Sequence, residues 1–81
     1  MDRRLTRQRV RLGMTTRVVA EDPDGIALEG ESRLWPGREV DLVFSALVVP
    51  PPAPRRAVVW SWRFVGMGNA GPLYRGYCRW A

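Results

Sequence analysis

The chain has 81 residues, 46% of them hydrophobic, with 13 basic residues against 8 acidic ones and a formal net charge of +5. This length gives one domain with a modest core, and this apolar fraction excludes a disordered chain. Every basic residue is arginine and histidine is absent, so the commonest general base and the Schiff-base amine are both missing; an enzyme is not expected.

One cysteine, Cys78, forms no intramolecular disulfide and without histidine makes no usual zinc site, so neither metal nor cofactor is expected. No apolar run approaches the roughly 18 residues of a membrane span. The charged N-terminus lacks the apolar core of a signal peptide. These readings imply a cytoplasmic protein without membrane insertion, and the surplus of arginine favours anionic partners.

Residues 1–8 read as an exposed basic arm, and 9–81 as the folded body. Arg3, Arg4, Arg7, Arg9 and Arg11 crowd the start of the chain. Arginine carries a permanent charge and a planar fork of donors that matches phosphates and guanine edges. From Arg9 the pattern alternates. Val10, Leu12, Met14, Thr16, Val18 and Ala20 take one face of a strand bent at Gly13. Glu21-Asp22-Pro23-Asp24-Gly25 is a turn, and its clustered acids are solvated turn residues. Ile26 and Leu28 share the inner face of a second strand near 25–33.

Leu34-Trp35-Pro36-Gly37 ends in the type II turn pair; a tryptophan exposed there would mark an interface. Glu39 to Leu47 alternates again, with Val40, Leu42, Phe44 and Ala46 inward. The proline run from Val49 through Arg56 cannot be a central strand and reads as a stiff connection. Val58, Trp60, Trp62 and Phe64 form the heaviest apolar stripe, so Trp60 and Trp62 are the expected core anchors. Gly66 to Pro72 is a loop whose G-x-G lacks the rest of a nucleotide fingerprint. A last strand, Leu73 to Trp80, places Tyr74, Gly76, Cys78 and Trp80 on one face. Five or six antiparallel strands in so short a chain avoid exposed edges by curling into a small barrel.

In order and spacing these pieces resemble the PilZ domain family, small bacterial barrels that respond to cyclic di-GMP. The arm Arg3-Arg4-Leu5-Thr6-Arg7-Gln8-Arg9-Val10 is similar to the family's R-x-x-x-R arm. Arg17 to Leu28 takes the place of its second motif, [D/N]-x-S-x-x-G before an apolar strand. Leu34 to Leu42 resembles its proline-glycine segment, and Ala57 to Trp60 with Tyr74 to Trp80 its closing strands. The resemblance implies an all-β, six-stranded antiparallel PilZ-like barrel, here without the family's C-terminal helix. Within the second motif Gly25 matches, whereas the acid or amide position falls on Ala20 and the serine position on Asp22. The ligand-binding residues carried over are Arg3, Arg4, Arg7, Arg9, Asp22 and Gly25.

Three functions follow as expectations. The first is a signalling domain that binds cyclic di-GMP through the arginine arm and passes the signal to a protein partner. The second is a degenerate domain that has lost the dinucleotide and keeps the partner. The third is a barrel that binds single-stranded nucleic acid, with Trp35, Tyr77 and Trp80 as stacking platforms. Aromatics on alternating apolar faces favour core packing over that third reading. A small barrel with one open edge could also pair with a second copy.

Overall fold

The computed structural model describes residues 8–13, 16–44 and 53–81. They form six strands and no helix: β1 (Gln8–Arg11), β2 (Thr16–Asp22), β3 (Gly25–Gly30), β4 (Glu39–Val43), β5 (Arg55–Met67) and β6 (Pro72–Trp80). All six belong to one sheet in the order β1-β4-β5-β6-β3-β2. The sheet curls into a half-barrel, and its two edge strands approach at a corner where Leu12 bridges to Thr16. There the Gly13 amide donates to the Thr16 carbonyl at 2.7 Å. Gly13 makes the corner with φ at 93°, a conformation glycine adopts at no steric cost.

Four of the pairings are antiparallel, as the turn signals require, but β1 runs parallel to β4. The β2–β3 hairpin lies between them in sequence and provides the long connection that parallel neighbours need. The expected single strand from Arg9 to Ala20 is therefore two strands on opposite edges of the sheet.

The core lies on the concave face. Val10 and Leu12 come from the first segment, Ile26 and Leu28 from β3, Val40 and Leu42 from β4, Ala57 and Val59 from β5, and Cys78 from β6; all are buried. Leu34 joins them from the loop after β3, and Phe44, Trp62 and Trp80 pack around the margin. The Pro36-Gly37 turn forms as expected: the Arg38 amide donates to the Trp35 carbonyl at 3.1 Å, and Gly37 has φ at 89°. Arg55 and Arg56, expected in the proline-rich connection, instead open β5. Met14 and Ala46 lie outside the described residues.

Two inward assignments fail, for one physical reason. Along β5 the pairing runs Val59 with Cys78 and then Ser61 with Tyr77, so Trp60 is an extra residue in a β-bulge. Ala57 and Val59 point inward before the bulge, and Trp62 is half-buried after it. Trp60 itself is 61% exposed and is no core anchor. Along β2 the register shifts between Val18 and Ala20, leaving Val19 extra and turning Ala20 to the outer face beside Ala27, whereas Val18 keeps the side of Leu28 and is 41% exposed on an edge strand.

Candidate functional site

The convex face of the sheet carries the chemistry. Cross-strand partners share a face, so the register arranges convex side chains in rows. One row reads Arg63 on β5, Arg75 on β6, Glu29 on β3 and Arg17 on β2. The next reads Ser61, Tyr77, Ala27 and Ala20.

Glu29 is the hinge of the first row. It is only 8% exposed. Its Oε1 accepts from Arg17 Nε at 3.0 Å and Nη2 at 2.8 Å. Its Oε2 accepts from Arg75 Nε at 3.2 Å and Nη2 at 2.7 Å. Such charge-assisted forks are the strong class of hydrogen bond. The bonds from Arg75 and then Arg17 hold the Glu29 carboxyl below the usual glutamate value. One carboxylate fixes two guanidiniums whose outer donors face solvent. Arg63 stands beside Arg75 with no acidic partner among the described residues.

A cleft of about 600 Å³ opens beside this row, with Ala27 and Gly76 as small lining residues and Trp60, Ser61, Arg63 and Arg75 around them. A side chain at Gly76 would strike the Ser61 carbonyl and the Trp62 ring, so glycine lets β5 and β6 approach there. A second cleft of about 330 Å³ shares Pro36, Trp62 and Arg63 and adds Arg33, Trp35, Phe64 and Tyr74. The Trp62 indole N–H donates to the Ser32 carbonyl at 3.0 Å, which orients the ring between the two clefts. Guanidiniums lie over two exposed indoles: Arg79 at 4.9 Å from the Trp60 ring centre and Arg33 at 4.6 Å from that of Trp35. The surface is cationic and aromatic, suited to acidic or π-bearing partners.

The residues carried over from the resemblance do not gather here. Arg3, Arg4 and Arg7 lie outside the described residues. Arg9 is exposed on β1 and pairs in register with Asp41, which also faces Arg56 at 3.9 Å. Asp22 and Gly25 do meet, at the β2–β3 turn. Asp22 Oδ1 accepts from the backbone N–H groups of Asp24 and Gly25, each at 2.8 Å. The Tyr77 hydroxyl donates to Oδ1 at 3.0 Å and to Oδ2 at 3.2 Å. The Tyr77 bond, with the two backbone bonds, lowers the Asp22 pKa. Gly25 is buried, and a side chain there would run into the Cys78 carbonyl and the Tyr77 phenol. Tyr77 therefore covers the glycine and occupies the acid. No hydrogen bond or ion pair joins Arg9 to this turn among the described residues.

Arg17, Glu29, Arg63, Arg75 and Trp60 escape a sequence reading as a site. Each lies on a different strand or beside a bulge, and only the register aligns them. The outward positions of Arg17, Arg63 and Arg75 were the available signal.

Compared with known proteins, the chain matches no family model, no curated protein and no solved structure.

Proposed function

We propose that this chain is a PilZ-type signalling domain, cytoplasmic and non-catalytic, that works by contacting a protein partner through the arginine–aromatic face of β5 and β6. The observation that carries this reading is the position of Tyr77. Its ring covers Gly25 and its hydroxyl engages Asp22, whose Oδ1 also accepts two backbone N–H groups. A dinucleotide using the second motif would need that glycine's backbone and that side chain free. Ala20, at the first position of the motif, offers no side-chain donor or acceptor. The motif serves as a turn scaffold, and the exposed functional chemistry lies elsewhere on the sheet.

A second reading rests on the arginine run. Five arginines in the first eleven residues, Arg3, Arg4, Arg7, Arg9 and Arg11, supply the clamp for cyclic di-GMP phosphates and guanine faces without the second motif. Calorimetric titration with cyclic di-GMP at moderate salt separates the two, with GTP and a short oligonucleotide as controls. The partner-binding reading expects no dinucleotide heat. Saturable binding that Arg7→Ala or Arg9→Ala removes, with an unchanged melting temperature, would replace it with the receptor reading. Heat with the oligonucleotide alone, steeply reduced by salt, would replace both.

A further inference from the structure

The partner has a definable chemistry, because β5 has an edge that no other described strand covers. β4 pairs with β5 only from Arg55 to Val58. Val59 is then held by the loop before β4: its N–H donates to the Arg38 carbonyl at 2.9 Å, and its carbonyl accepts from the Gly37 amide at 2.7 Å. From Trp60 to Met67 the strand pairs with β6 alone among the described residues. Val59 directs its backbone groups away from β6. The bulge at Trp60 then shifts the alternation, so Trp62 and Phe64 turn their N–H and C=O groups to the open side. An edge of this kind is a template for a further strand.

The side chains along the edge are of the types that dominate protein contacts. Trp60, Phe64, Val65 and Met67 are exposed, Met67 at 71%, and Trp35 stands beside them. Tryptophan, aromatic residues, methionine and arginine are enriched in such surfaces. Arg33, Arg63 and Arg75 line the two clefts that flank the edge, and among the described residues no carboxylate lines either. A second copy of the chain would bring arginine against arginine. Exposed Val65 and Met67 lack the flat π faces that stack nucleic-acid bases.

We propose that the β5 edge from Trp60 to Met67 accepts an extended acidic segment of the partner protein as an added strand. In that arrangement the acidic side chains lie on the convex face opposite Arg63, and apolar ones lie against Trp62 and Phe64. The inference rests on the partner-binding reading above and gives that partner its chemistry.

The test uses the whole chain and a short acetylated, amidated peptide of alternating glutamate and valine. Binding is followed by calorimetry and tryptophan emission. Saturable binding is expected. Arg63→Glu should weaken it at least about tenfold, a change of about 1.4 kcal/mol, and should make the chain prefer the lysine–valine counterpart. Arg63 faces Arg75 across the strands, so the substitution relieves a like-charge pair and the fold should persist. A peptide N-methylated at its valines should not bind, because in an antiparallel added strand the residues on the face of Trp62 and Phe64 are those that turn their N–H groups to β5. The proposal is overturned if the acidic peptide gives no binding, if the methylated peptide binds equally, or if oligothymidylate binds in its place. It is also overturned if sedimentation shows a homodimer that Arg63→Glu dissociates. Silence toward the peptide with no dinucleotide heat removes the edge and leaves the partner reading standing. Dinucleotide binding through the arm removes that reading whatever the peptide does.

Discussion

Trp60→Ala is the substitution on which sequence pattern and structure disagree most. The alternation of Val58, Trp60, Trp62 and Phe64 predicts a core tryptophan, whose truncation costs about 3–5 kcal/mol. The structure places Trp60 in a bulge, 61% exposed, with Arg79 over its ring. What the substitution removes is an exposed cation–π contact, worth about 0.5–1 kcal/mol. For a domain of this size about 1 kcal/mol corresponds to about 4–8 °C in Tm, so the shift should stay within that range. Leu28→Ala is the internal comparison, since Leu28 is 0% exposed at the centre of the core. Its truncation should cost about 2–5 kcal/mol, against a total stability of about 4–12 kcal/mol for a chain of this length. Urea denaturation followed by far-UV circular dichroism reads both variants without relying on the tryptophan signal. With a slope near 1 kcal/mol/M, Leu28→Ala should lower the midpoint by about 2 M or more and Trp60→Ala by about 1 M or less. Equal losses would refute the bulge and return Trp60 to the core.

Three further predictions follow from buried and paired groups. Thr16 is buried, and its hydroxyl has no partner among the described residues; Thr16→Val should therefore raise the melting temperature, and a fall would mean the hydroxyl is bonded after all. Glu29 and Asp22 both titrate below their ordinary values of 4.5 and 3.8, so their stabilisation is complete above those values and is lost as pH falls through the lower folded-state values. Melting temperature should hold from neutral pH down to about 5 and then decline, and Glu29→Gln should flatten part of that decline; an unchanged acid limb in the variant would contradict the clamp. Cys78 is fully buried, and burial pushes its thiol up to about 11. A thiol-specific disulfide reagent at pH 8 should therefore react only once urea unfolds the chain, and rapid native labelling would place Cys78 outside the core.

Much of the fold was legible because turns are local. Asp22 to Gly25 makes its hairpin through side-chain and backbone bonds between near neighbours in sequence, and the Pro36-Gly37 turn follows from the conformational limits of its own two residues. The inward alternation of Val40 and Leu42 and the burial of Cys78 were likewise readable from period two. The candidate site was not legible in the same way. Glu29 draws on Arg17, 12 residues away, and on Arg75, 46 residues away. No local pattern predicts which strands will stand on either side of it.

The sequence by itself determined an all-β chain of five or six strands, the place of its main turns, most of its core and its arginine-rich charge. These depend on φ/ψ preference, side-chain period and composition, all properties of a residue and its neighbours. The tertiary structure alone decided the parallel placement of β1, the outward turn of Trp60 and the occupation of Asp22 and Gly25 by Tyr77. It also decided the alignment of Arg63, Arg75, Glu29 and Arg17 in one row. Each of these depends on register between distant strands, and a single bulged residue in one strand reverses which side chains face water.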